Sequence, residues 1–217
     1  MPDGDPTLLI EGPKVKAKRN KPQVDTKEAQ LLTETRYTKR DGTALSTDMR
    51  DRCIIALARG TGLRVSEVAS LNAGMVLNMN PSTREFFYIG KGGAEYSWYL
   101  TADVYDMLHS FLSHENITDP SCPLFANRDG TRLSVRSIQK IIAKRGQQVL
   151  GKAVHPHMLR RGYGNEFYEK SGKDIYATKE ALHHNSVTTT EGYLGIGKDR
   201  LKIIVDGMSA KRAPTDF

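Results

Sequence analysis

Three short stretches of this chain lie far apart, and their chemistry can be used only if the fold brings them together. They are GTGLRVSEVASL at 60–71, HPHMLRRGYGNEF at 155–167 and ALHHNSVTTTEGYLG at 181–195. Between them they carry two arginines (Arg64, Arg160), two histidines (His157, His184) and one late tyrosine (Tyr193). That set suits attack on a phosphodiester by a phenol, with guanidinium groups to hold the phosphate and no call for a metal or other cofactor.

At 217 residues the chain fits one domain with an appended arm and can bury a core without disulfide or metal staples. Its two cysteines, Cys53 and Cys122, sit in no CxxC pair and near no histidine cluster, which argues against a zinc site and for a reducing compartment. Cys53 lies in an apolar helical run and reads as core. No stretch is apolar enough to span a bilayer, and the first twenty residues lack signal-peptide order, so a soluble, cytoplasmic protein is expected. The net charge of +7 is uneven: from residue 131 onward there are 16 basic and 8 acidic residues. A basic C-terminal region points to a polyanion partner.

The hydrophobic pattern predicts a mainly α fold with one small antiparallel sheet (α+β). Residues 1–30 mix Pro, Lys, Asp and Gln without apolar periodicity and read as a flexible basic arm, with order beginning near Leu31. A helix is expected within 47–59, capped by Ser46 or Thr47 and broken by Gly60 and Gly62, and a second over about 65–71. EFFYIGKGGAEYSWYL at 85–100 reads as a hairpin turning at Gly90–Gly93. Thr101 caps a helix that turns Val104, Met107, Leu108, Phe111 and Leu112 inward. Ser134 caps another, with Ile138, Ile141, Ile142 and Val149 inward and Arg136, Lys140 and Lys144 as a basic stripe on the opposite face. Further helices are expected from His157 to about Ser171, over 174–183, and around Tyr193.

The chemistry follows residue by residue. His157 and Arg160, at i and i+3 near a helix start, share a face. Arg160 and Arg64 each present a planar fork that cannot lose its charge and matches phosphate oxygens. Glu67, three residues after Arg64, can orient that arginine or His157; on its own the pair is an ordinary surface ion pair. Tyr193 is the candidate nucleophile, because a phenol leaves more readily than a sugar hydroxyl and can store the bond. His184 stands nine residues before Tyr193 and can donate to the same phosphate. Lys91, in the hairpin turn, is a candidate acid for the departing oxygen, although a turn lysine is more often simply solvated.

At these residues the chain resembles the tyrosine recombinase (phage integrase) family. The family's TGLR-x-SE segment appears as Thr61 to Glu67, its HxxR as His157-Met158-Leu159-Arg160, its LGH as Leu182-His183-His184, and its tyrosine as Tyr193. Gly90-Lys91-Gly92 matches the hairpin that carries the family's general-acid lysine. The match runs from about 31 to 195, with 196–217 left as a C-terminal segment suited to docking on a neighbouring subunit.

What the resemblance implies is the DNA breaking-rejoining catalytic domain fold and a site-specific cut in double-stranded DNA through a 3′-phosphotyrosyl intermediate. Arg64, Arg160, His157 and His184 would hold the phosphate, with Lys91 as acid and Tyr193 as nucleophile. Arg136, Lys140, Lys144 and Arg161 would contact DNA. Four subunits across two sites are expected, with an accessory DNA-bending protein as a further partner. The short arm leaves no room for the family's N-terminal clamping domain. Two departures stand out: His183 replaces the Gly of LGH, and Arg161 stands where a His is common. A type IB topoisomerase-like enzyme and an idle DNA-binding accessory protein are the alternatives.

Overall fold

In the computed structural model, which describes residues 21–38, 47–89 and 95–184, one helix is buried almost all round. Cys53 to Arg59 are all buried in it, so this helix is the axis on which the others pack. It is α2, Asp48–Thr61, and it follows α1, Thr26–Glu34. Two short helices come next, α3 (Val65–Ser70) and α4 (Gly74–Leu77), and then the hairpin of β1 (Glu85–Ile89) and β2 (Glu95–Tyr99). The longer helices α5 (Ala102–His114), α6 (Val135–Leu150) and α7 (Pro156–Lys170) precede the short α8, Ile175–Ala181. This is the mainly helical fold with a small antiparallel sheet that the pattern predicts.

Helix boundaries follow their caps. Thr47 is the N-cap of α2, Ser134 of α6 and Thr101 of α5. Ser134 Oγ accepts from the Ser137 backbone N–H, which satisfies one of the first-turn donors. Gly60, expected to break α2, lies inside it instead; the helix runs on to Thr61 and ends at Gly62, which adopts φ 69°. A single glycine costs a helix only about 1 kcal/mol, and the packing of α2 against its neighbours outweighs that.

Order begins earlier than expected. The boundary drawn near Leu31 falls inside α1, which starts behind a capping box: Asp25 Oδ1 accepts from Glu28 N at 2.8 Å, and Glu28 Oε2 accepts from Asp25 N. The segment before it is tied to α7, with Val24 N donating to the Met158 carbonyl at 3.1 Å. This close approach requires Gly162, since a β-carbon there would run into the Val24 carbonyl. Deeper in, the Arg145 guanidinium, 4% exposed, joins the Leu32 and Thr35 carbonyls to Asp48 Oδ1, so α6 grips the end of α1 and the start of α2.

The hairpin pairs Phe86 with Trp98 and Tyr88 with Tyr96 on its inner face. Phe86 and Trp98 are buried and their rings stack at 6.0 Å. On the outer face Phe87, Ile89 and Tyr99 are exposed. Residues 90–94, with Lys91, and residues 185–217, with Tyr193 and the helix expected around it, lie outside the described residues, as does the arm up to residue 20.

Candidate active site

The ends of α2 and α8 and the starts of α3 and α7 bring the first two sequence segments together with the opening of the third, residues 181–184. At the end of α2, Thr61 Oγ1 donates to the Leu57 carbonyl, and Gly62 turns the chain with its left-handed backbone. A side chain is resisted there twice, by the left-handed backbone and by the Tyr163 ring, into which a β-carbon on Gly62 would run. The turn delivers Arg64 to the N-cap of α3, where Glu67 holds it twice. Glu67 Oε2 accepts from the Arg64 backbone N–H at 2.6 Å and Oε1 accepts from Arg64 Nη1 at 2.8 Å. The Arg64 side chain stays 46% exposed while that of Glu67 is 10% exposed, so a buried carboxylate aims a cation at solvent.

Arg160 lies on the first turns of α7 and is 3% exposed. Its Nη1 donates to the Gly62 carbonyl and its Nη2 to the Leu182 carbonyl. These two oxygens close α2 and α8, where helix dipoles place partial negative charge and, among the described residues, no backbone N–H reaches them. A single guanidinium therefore ties two motif segments together across the site.

His184 follows at once. The end of α8 is a Schellman turn: His183 N donates to the Glu180 carbonyl at 2.8 Å, and His184 N to the Lys179 carbonyl at 3.0 Å. His183 takes φ 47° in this turn, the position where glycine is usual. His184 is 8% exposed. Burial, then the positive charges of Arg160 and Arg64 and the neighbouring His183, push its pKa down to about 4, so it is a neutral donor or acceptor near pH 7. Burial also lowers the pKa of His183, helped by Arg160 and opposed chiefly by Glu67.

The candidate residues thus divide. Arg64, Glu67, Arg160 and His184 form one electrostatic cluster. His157, expected to share a helix face with Arg160, is exposed at the second position of α7, while Arg160 one turn on is buried. Arg136, Lys140 and Lys144 line the exposed side of α6, opposite buried Ile138 and Ile142. Arg161 is half-buried and its Nη1 donates to the Pro22 carbonyl at 2.7 Å, so it fastens the N-terminal segment. Cys53 is buried in the core, where desolvation pushes its thiol up to about 12.

Sequence reasoning left the His183 side chain without a place. Its ring packs against Trp98 at 4.0 Å between centroids and Tyr96 at 4.6 Å. The signal was the departure itself, a bulky residue where the turn favours glycine. Among the described residues a concavity of about 650 Å³ opens between α1, α2, α5 and α7, and none of the Arg64–Arg160–His184 group lines it.

Known proteins place this geometry in context. The sequence profile of the phage integrase family matches residues 24–199. Tyrosine recombinase XerC of Actinobacillus pleuropneumoniae serotype 7 (strain AP76) is 32% identical over 217 residues, covering 98% of this chain and 67% of that protein. XerC of Neisseria meningitidis serogroup B (strain MC58) is 35% identical over 159 residues, covering 73% of this chain and 52% of its own length. The chain thus spans between about half and two thirds of these relatives. In fold, it is similar to the XerH site-specific recombinase bound to difH substrate in a pre-cleavage complex, with TM-score 0.68, 21% identity, and 88% of this chain and 56% of that one covered.

Proposed function

Since the chain belongs to the phage integrase family, we propose that it is a site-specific recombinase that cuts and rejoins double-stranded DNA through a 3′-phosphotyrosyl link. The observation that carries this reading is the meeting of Arg64, Arg160 and His184 at the carbonyls that close α2 and α8. Two permanent cations and a neutral imidazole form a site for an anion whose charge grows during reaction. The one carboxylate among them, Glu67, is already bound to Arg64, so the donor set does not suit a metal ion.

In this mechanism the Tyr193 phenol gives its proton to solvent and its oxygen attacks phosphorus, the bond to the 5′ oxygen breaks, and Lys91 gives that oxygen a proton. Arg64 and Arg160 neutralise the non-bridging oxygens, with His184 and His157 donating to them. A partner strand's 5′-hydroxyl then reverses the step, so bond energy is kept in the protein–DNA link and neither metal nor ATP is consumed. Arg136, Lys140 and Lys144 supply phosphate contacts along the duplex, with Arg161 as a further candidate. The resemblance to the family supports four copies across two sites, with an accessory DNA-bending protein as a further partner.

The test is covalent capture. Wild type and Tyr193→Phe are mixed with labelled duplex fragments tiling the DNA around the native gene, then denatured in detergent. Protein-linked label in wild type alone supports the mechanism, and the trapped end names the site. Native binding without an adduct in either would replace it with an idle accessory role.

A further inference from the structure

Two helices of this chain end in the same Schellman turn and fill its left-handed position differently. At the end of α7 the residue is Gly172, φ 70°, with open space around it. At the end of α8 it is His183, φ 47°, a conformation that a β-carbon resists. A strained residue persists where its surroundings hold it, and here those are named: the ring lies against Trp98 and Tyr96, both on β2. Trp98 is itself 3% exposed and fixed by stacking on Phe86.

The consequence falls on the cationic cluster. Residue 183 sits between Leu182, whose carbonyl takes Arg160 Nη2, and His184, and its own carbonyl faces Arg64 Nη2 at 3.5 Å. Whatever fixes residue 183 therefore sets the carbonyls that aim both arginines. With glycine here, the turn would keep buried Leu182 as an anchor on the α7 side but lose its hold on the hairpin.

We propose that His183 is a positioning residue whose ring anchors the 182–184 turn to β2 and thereby holds Arg64, Arg160 and His184 in register around the reacting phosphate. This rests on the recombinase reading and assigns a task to the side chain that stands where the LGH motif has glycine. The ring acts by packing, not by touching the phosphate.

The experiment compares wild type, His183→Gly and His183→Phe in single-turnover adduct formation. One duplex carries the phosphodiester trapped by covalent capture, and a second carries a neutral methylphosphonate at that position. Gly relieves the backbone strain, so His183→Gly should keep its melting temperature and its affinity for the duplex. It should slow adduct formation on the phosphodiester by about tenfold or more, yet by no more than about threefold on the methylphosphonate, which has less charge for the arginines to meet. His183→Phe, which keeps a ring on Trp98, should recover most of the rate. Equal slowing on both substrates, or a melting temperature that falls in step with the rate, would overturn the proposal in favour of a purely structural ring. An unchanged rate for His183→Gly would overturn it as well. Wild type forming an adduct on neither duplex would remove the recombinase reading itself, and this inference with it.

Discussion

Glu67 binds Arg64 at both ends of that residue, taking its backbone N–H at 2.6 Å and its guanidinium at 2.8 Å. The first bond is a helix cap and the second an aiming contact, so one carboxylate serves fold and site together. The two can be separated. Glu67→Gln keeps an acceptor for the N–H but loses the charge that steadies Arg64. It should lower stability by no more than about 1 kcal/mol while slowing adduct formation about tenfold. Glu67→Ala removes both and should cost about 1–2 kcal/mol in urea unfolding as well.

Arg160 is a heavier loss. Replacing it with Ala leaves the Gly62 and Leu182 carbonyls without their donor in a buried place, at about 1–3 kcal/mol each. Arg160→Lys keeps the charge but a single ammonium cannot reach both oxygens as the fork does. The expected result is a stability between those of wild type and Ala, with adduct formation down by about a hundredfold. Urea unfolding and single-turnover assays on the same preparations check both halves.

Gly62 and Gly172 make a matched pair, with φ 69° and 70°. Alanine at either site meets the left-handed backbone, but only at Gly62 does it also meet the Tyr163 ring. Gly172→Ala should cost about 1 kcal/mol, and Gly62→Ala clearly more, by about 1–3 kcal/mol of overpacking. Equal costs would mean that Tyr163 yields without penalty.

Much of this was legible in the sequence where the information is local. The α5 and α6 helices announce themselves through Thr101 and Ser134 and through inward rows of Leu, Ile and Phe. The motif arginines were visible by type and spacing. The α1 helix was missed because it buries just Ala29 and Leu32, too few to show a period, although Asp25-Thr26-Lys27-Glu28 spells a capping box. Arg145 was illegible for another reason. It sits one residue from Lys144 of the exposed stripe, yet its partner Asp48 is 97 residues away, and no local pattern carries that contact. His157 and Arg160 likewise share a motif but not a burial, since the helix start leaves the first at its mouth.

Acid should weaken the fold through His184. Its pKa is about 4 in the folded chain against 6.5 for an ordinary histidine, because burial, then Arg160, Arg64 and His183, oppose the charged ring. Between those values the unfolded chain binds a proton that the folded one refuses, so stability rises with pH across that window and is lost as pH falls through it. Glu166 extends the trend lower. Burial works against its charge, but hydrogen bonds from Lys170 and Arg59 prevail and bring it to about 2. Urea midpoints measured from pH 7 down to pH 4 should fall, and His184→Gln should flatten the upper part of the slope.

The α6 stripe makes a prediction of a different kind, since it concerns affinity and leaves the chemistry alone. Arg136, Lys140 and Lys144 are exposed, while the helix is held from its other side by Ile138, Ile142 and the buried Arg145. Neutralising an exposed cation there should hardly touch stability. If each meets a phosphate, each Gln substitution should lower the slope of log affinity against log salt by about one and weaken all duplexes alike. Arg145→Gln is the contrast. It takes from buried Asp48 its closest cation, leaving Arg52 Nη1 at 3.8 Å, and removes the bonds to the Leu32 and Thr35 carbonyls, so it should cost about 3 kcal/mol of stability. Titrations at three salt concentrations, with unfolding curves beside them, separate the two. A salt slope unmoved by all three stripe variants would take α6 off the duplex and leave the stripe a solvated face.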